Sequence, residues 1–269
     1  GDGKVAQSHY LMTMLRLLFS FGSKFLEDKD AEHCQRISGL LHTMKFKNAR
    51  PRSSILTAEQ VIALRKAAHE AGRPSIALAQ AIQFECTLRQ KDVIGEWVPM
   101  GERGPFSDVT REDKKWMRGI KWSEITRTGD GCLILKHITS KRQKEIEVDL
   151  TRAPMVMEEL ERFVTLPTSG PVITDERTGL PYITVTFREH WRRFARSCGI
   201  PDTVRNMDTR AGAITESLIA NGGDLDSTRI VATHSNVTTT MGYSRGNVKR
   251  VAADMDKRAR YRNKQGTEG

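Results

Sequence analysis

One short stretch constrains the fold more than any other. Lys45-Phe-Lys-Asn-Ala-Arg-Pro-Arg-Ser-Ser54 is basic, holds a proline and two serines, and has no hydrophobic periodicity. Neither a helix nor a strand pattern runs through it, so the chain divides into a short part and a long one. Residues 4–46 read as helical. Leu11, Met14, Leu15, Leu18 and Phe21 repeat at helical spacing, with more apolar residues on the other faces. A helix that apolar needs partners on several sides. A second helix is expected over 30–44. Two helices enclose little core, so residues 1–46 read as the end of a larger helical domain and 47–55 as a basic linker.

The long part reads as mainly α with a small antiparallel β-sheet. Thr57 with Gln60 three residues on forms a capping box, followed by Val61, Leu64 and Ala68 at helical spacing. A helix over 75–88 should bury Leu78, Ala81, Ile82 and Leu88. Residues 93–120, with Gly101, Gly104, Pro105 and many charges, read as a long surface insertion. The β run at 132–138 and the alternation of Ile146, Val148 and Leu150 predict a hairpin whose turn is 139–144. Helices are expected at 154–164, at 184–198, and in pieces from Arg210 onward. Residues 245–264 hold eight basic and two acidic side chains, a basic helix fading into a disordered end.

Charge narrows the partners. The net charge is +10 and the isoelectric point near 9.6, a balance that points to a polyanion, nucleic acid first. Cys34, Cys86, Cys132 and Cys198 are far apart and form no Cys-x-x-Cys pair, against a zinc site or a disulfide scaffold and in keeping with a reducing cytosol. The longest apolar run, 10–21, is interrupted by Arg16 and Ser20 and is too short to cross a bilayer. The opening Gly1-Asp-Gly-Lys4 does not read as a signal peptide, and the chain reads as a fragment. There is no His-Glu-x-x-His, acidic metal cluster or P-loop, so neither metal nor cofactor is expected.

Four separated pieces carry the chemistry. His234 and Tyr243 stand nine positions apart with Thr238, Thr239 and Thr240 between them, and Asp224 lies ten before the His. Upstream is Arg210-Ala-Gly-Ala-Ile-Thr-Glu-Ser-Leu-Ile-Ala-Asn-Gly-Gly-Asp224. Before that, Phe187, Trp191 and Phe194 mark one helix face, and earlier still comes Cys86-Thr-Leu-Arg89-Gln-Lys-Asp92. Lys141 lies in the hairpin turn, nine residues before Leu150. In order and spacing, residues 56–250 resemble the tyrosine recombinases, the phage-integrase family. The resemblance implies a catalytic domain of that fold over 56–250, preceded by part of a core-DNA-binding domain over 1–46 and followed by a basic tail over 251–269.

It also implies roles. Two arginine forks neutralise the non-bridging oxygens of a phosphodiester and the extra charge of its transition state. A phenol makes a reversible ester with the phosphate. A lysine in a turn protonates the leaving 5′ oxygen. Arg89 and Arg210 are thus the expected clamp, Lys141 the general acid, His234 the assisting group and Tyr243 the nucleophile. Plain alternatives stand beside them: a helix C-cap for Arg89, an ion-paired helix residue for Arg210, a core histidine for His234, and a half-buried tyrosine for Tyr243. Arg142 and Lys144 share the turn with Lys141. One departure is clear: the second box of the family reads His-x-x-Arg, where this chain has Met207-Asp-Thr-Arg210.

The implied function is site-specific recombination, for integration or excision of a mobile element. Type IB topoisomerase activity and a DNA-binding protein that no longer cleaves are the alternatives. Double-stranded DNA is the implied partner, with Lys45, Lys47, Arg50 and Arg52 of the linker crossing it. A homotetramer is expected on paired sites and a monomer or weak oligomer without DNA, in the cytoplasm of a prokaryote, nucleoid-associated, with no membrane.

Overall fold

A computed structural model describes residues 3–45, 52–222 and 224–225. The chain divides into two compact units, Gly1–Ser53 and Ser54–Gly269. In the first, α1 (Gly3–Phe25) and α2 (Asp28–Thr43) form a helical hairpin. Arg16 Nε donates to the Leu41 carbonyl at 2.9 Å, and the Ser20 and Ser38 hydroxyls lie 3.1 Å apart, so the helices run antiparallel. No residue of α2 is buried, and Leu17, Leu18 and Phe25 of α1 stay exposed. Two helices alone leave such apolar faces uncovered.

The second unit begins on the capping box expected at Thr57. Its hydroxyl accepts the Gln60 N–H, the Gln60 side chain accepts the Thr57 N–H, and α3 (Ala58–Glu70) follows. At the centre lies α4 (Pro74–Glu85), buried at every residue from Ile76 to Phe84. A helix that is apolar on all sides must be surrounded, and α3, α6 (Pro154–Leu160) and α8 (Asp208–Ala220) pack against it. Phe187, Trp191 and Phe194 of α7 (Thr184–Ser197) all point into the core, as their spacing predicts. Buried Arg65 on α3 donates twice to Glu159 on α6, at 2.8 and 2.6 Å, and His69 Nε2 lies 2.7 Å from the other carboxylate oxygen.

The hairpin forms as expected. Strands β5 (Leu133–Ile138) and β6 (Glu145–Asp149) pair antiparallel with Ile138 opposite Glu145, and β4 (Ile125–Arg127) adds to the free edge of β5. Residues 93–120 are not the surface insertion expected. They follow a short α5 (Gln90–Ile94) with β1 (Glu96–Pro99), β2 (Thr110–Arg111) and β3 (Lys114–Met117), a second antiparallel sheet in the order β1-β3-β2. Val98, Trp116, Met117 and Ile120 are buried there. Strands of two to four residues, with Lys114 and Lys115 leading into Trp116, are too short to display a period of two. The helix expected to reach residue 88 stops at Glu85, because Thr87 takes a left-handed φ of 51°. The helix expected to reach residue 164 stops at Leu160. Among the described residues no helix is long and apolar enough to cross a membrane. The helical pieces expected beyond Leu225 and the basic tail lie outside the described residues.

Candidate active site

Arg210 lies in the first turn of α8, and α4 sets where that turn sits. Buried Gln80 accepts at Oε1 from the Trp191 indole (2.7 Å) and the Asn206 amide (3.2 Å), and donates from Nε2 to the Thr209 hydroxyl (3.0 Å). Gln83 donates to the Asn206 carbonyl at 3.2 Å. Two side-chain amides therefore tie α7, the following loop and the start of α8 to one helix. Neither glutamine is among the site residues expected from the sequence. The available signal was a pair of glutamines three residues apart in an otherwise apolar helix, where a buried amide must find partners. Arg210 is itself only 6% exposed, and its Nη1 donates to the Thr87 carbonyl. Thr87 is β-branched, and its left-handed backbone costs roughly 1–3 kcal/mol, a strain located where the carbonyl meets the guanidinium.

Arg89 is not a helix C-cap. Cys86 caps α4, and Arg89 occupies the N-cap position of α5. A helix N-terminus disfavours a cation; Arg89 is held instead by Asp92, with Nη1 at 3.7 Å from Oδ2. Asp92 is fully buried, and its Oδ1 accepts the Ser140 N–H at 2.7 Å. Ser140 immediately precedes Lys141 in the β5–β6 turn. One buried carboxylate thus joins Arg89 to the turn that carries Lys141. The turn is also closed on itself, by Gln143 N–H to the Thr139 carbonyl and Thr139 N–H to the Lys144 carbonyl, both at 2.9 Å.

Arg89, Lys141 and Arg210 line one cleft of about 400 Å³. Six of its twelve lining residues are basic and none is acidic, so the cleft suits an anion. Lys91, one of the six, is engaged by Glu96 at 2.7 Å. Arg142 also lines the cleft; Lys144 does not. Met207 lines it too, 58% exposed at the N-cap of α8. Asp208 does not take its place, since it is buried and its carboxylate accepts the Arg205 N–H at 2.8 Å. Cys86, next to this region in sequence, is buried, which pushes its thiol up to about 12 and keeps it protonated. Tyr182 is core: burial and the neighbouring Glu176 carboxylate push its phenol well up, and its hydroxyl is bonded to Ser75 and Glu176.

His234 and Tyr243 lie outside the described residues, as do Lys47 and Arg50. Lys45 and Arg52 belong to the first unit. Among the described residues no three His, Cys, Asp or Glu side chains gather where they could hold a metal ion.

No protein-family model matches the sequence, and no curated protein matches it. Solved structures match the fold. A lambda integrase dimer bound to a COC′ core site superposes with a TM-score of 0.63 over 91% of this chain and 62% of that one, at 16% identity. The chain has the tyrosine recombinase fold. XerA recombinase matches over 91% of this chain and 81% of its own at a TM-score of 0.52 and 14% identity. XerH site-specific recombinase on a palindromic difH substrate, a post-cleavage complex, matches over 91% and 71% at 0.51 and 12%. This chain thus spans somewhat less than two thirds of the lambda integrase chain. At such identities the likeness is one of backbone, and the tyrosine recombinase fold is what it establishes.

Proposed function

We propose that this chain is a site-specific DNA recombinase of the integrase type that cuts and rejoins strands through a 3′-phosphotyrosine intermediate. The observation that carries the reading is that Arg89, Lys141 and Arg210, far apart in sequence, line one basic cleft on a tyrosine recombinase fold. A phosphodiester in that cleft meets two guanidinium forks whose own partners, Asp92 and the Thr87 carbonyl, hold them in place before substrate arrives. Donors already oriented towards developing charge are worth most in the transition state. The Tyr243 phenol releases its proton to solvent as its oxygen attacks phosphorus, the bond to the 5′ oxygen breaks, and Lys141 Nζ gives that oxygen a proton. His234 assists proton movement. The ester keeps the bond energy, so attack by a 5′ hydroxyl reverses the step without a high-energy cofactor.

In the same reading, residues 1–46 are part of a core-DNA-binding domain and 47–55 a linker, and Lys45 at the end of the first meets the duplex together with Lys47, Arg50 and Arg52 of the second. Residues 56–250 are the catalytic domain and 251–269 a tail that serves assembly into a tetramer on paired sites. One lambda integrase structure of like fold is bound to DNA, and a lambda integrase tetramer is bound to a Holliday junction. Those likenesses support DNA as the partner here.

Met207 supports a second reading, a DNA-binding protein of this fold that does not cleave, because a thioether donates no hydrogen bond to phosphate. The test is a nicked suicide duplex carrying a sequence the protein enriches from a random pool. Wild type should form a denaturant-resistant adduct, and Tyr243→Phe should lose it while keeping affinity. An undiminished adduct in Tyr243→Phe moves the nucleophile elsewhere. Tight binding by wild type without any adduct selects the second reading.

A further inference from the structure

Beyond Arg89, Lys141 and Arg210, the cleft is lined by Lys91, which Glu96 engages, by Arg142 of the turn, and by Arg188. Arg188 stands on α7 directly after buried Phe187, and its side chain is exposed. It lines the 400 Å³ cleft and also a neighbouring cavity of about 710 Å³; the two share Gln90, Arg188 and Met207. The other arginines of this helix are engaged. Arg192 donates to the Val204 carbonyl at 2.6 Å, Arg196 pairs with Asp202 at 2.8 Å, and Arg193 donates to His190 and lies over the Phe194 ring. Among the described residues, the Arg188 side chain makes no hydrogen bond or ion pair. A guanidinium left uncommitted at the edge of an anion cleft is available for a ligand.

What it adds is set by the residue beside it. Met207 gives its stretch of the cleft wall no donor, and the carboxylate of Asp208 is turned to the Arg205 backbone. We propose that Arg188 is a further catalytic residue, contacting the reacting phosphate from α7 and supplying the donor that Met207 does not. The assignment rests on the strand-cleavage reading above. In chemical terms Arg188 accommodates an equatorial oxygen of the transferring phosphoryl group, charge that grows as the pentacoordinate state forms.

The experiment is single-turnover cleavage of the suicide duplex at saturating protein, with wild type, Arg188→Ala, Arg188→Ala/Met207→His and Arg205→Ala. Arg205 is exposed and lines only the second cavity. Arg188→Ala should cleave on the order of a hundredfold more slowly, the loss expected for one preorganised anion donor. Adding Met207→His should return at least about tenfold, by restoring a donor on the same wall. Arg205→Ala, which removes a cation from the second cavity and not from the cleft, should leave the saturated rate unchanged, and an equal slowing there would overturn the assignment. If Arg188→Ala binds less tightly yet cleaves at the wild-type rate once saturated, Arg188 merely holds DNA and the assignment is overturned. Slowing that Met207→His does not relieve overturns it as well. A wild-type chain that forms no adduct overturns the reading of the whole site, and this assignment with it.

Discussion

Gly212 lies in α8 two residues after Arg210, where the helix meets the chain entering the second unit. The Leu56 N–H donates to the Asp208 carbonyl at 3.3 Å, and the Leu56 carbonyl approaches Gly212 so closely that an added Cβ would sit 1.8 Å from its oxygen. An ordinary carbon–oxygen contact is about 3.3 Å, so Gly212→Ala requires a displacement of roughly 1.5 Å. No flexible side chain can absorb it, because the obstacle is backbone. Overpacking of this kind costs about 1–3 kcal/mol, and the better helix propensity of alanine offsets up to about 1 kcal/mol. The expected net loss is about 1–2 kcal/mol, or roughly 2–8 °C in melting temperature for a unit of this size. Activity should fall further than stability. Moving α8 moves Arg210 away from the Thr87 carbonyl, and misplacement by about 1 Å costs on the order of a hundredfold in rate. Thermal unfolding and single-turnover cleavage, measured well below the midpoint, check both parts. An alanine variant as stable as wild type would refute the close approach of Leu56; one that is destabilised but cleaves normally would refute the claim that α8 positions Arg210.

Three further outcomes can be measured. Asp92→Ala should reduce cleavage by roughly ten- to a hundredfold with little change in affinity, by releasing both Arg89 and the Lys141 turn; Asp92→Asn, which keeps an acceptor for Ser140, should lose less, and equal rates in all three would sink the coupling. A substrate with sulfur in place of the leaving 5′ oxygen needs no proton, so it should rescue Lys141→Ala but not Arg210→Ala; rescue of Lys144→Ala instead would reassign the acid. Burial raises the Glu85 carboxyl above its ordinary 4.5, so its ionisation penalises the folded state at pH 7 and not below pH 4.5, where both states are protonated. Glu85→Gln should therefore raise the melting temperature at pH 7, with the gain disappearing as pH falls towards 4.5; a gain independent of pH would point to packing instead.

Features governed by near neighbours were legible in the residues alone. The Thr57–Gln60 capping box, the Phe187-Trp191-Phe194 face and the β5–β6 hairpin each follow from a dihedral preference or a period of 3.6 or 2, and each is present in the fold. His234 and Tyr243, expected from their spacing, lie outside the described residues. Where local signals were weak or misleading, contacts distant in sequence decided. The strands of 96–117 are too short to show a period and exist because Trp116 is buried, with its indole on the Ile94 carbonyl. Arg89 follows a helix in sequence, which invites a C-cap, yet the left-handed Thr87 ends α4 early and places Arg89 before α5. Lys141 and Lys144 are indistinguishable as turn residues; the bond that the Ser140 N–H donates to Asp92 sets the turn against the cleft that Lys141 lines. Gln80 and Gln83 look like defects in an apolar helix until their partners from α7, α8 and the loop between them arrive. Backbone preference acts over a few residues, whereas the cleft is made by packing several elements around α4. Which cations share it is therefore a property of the tertiary structure.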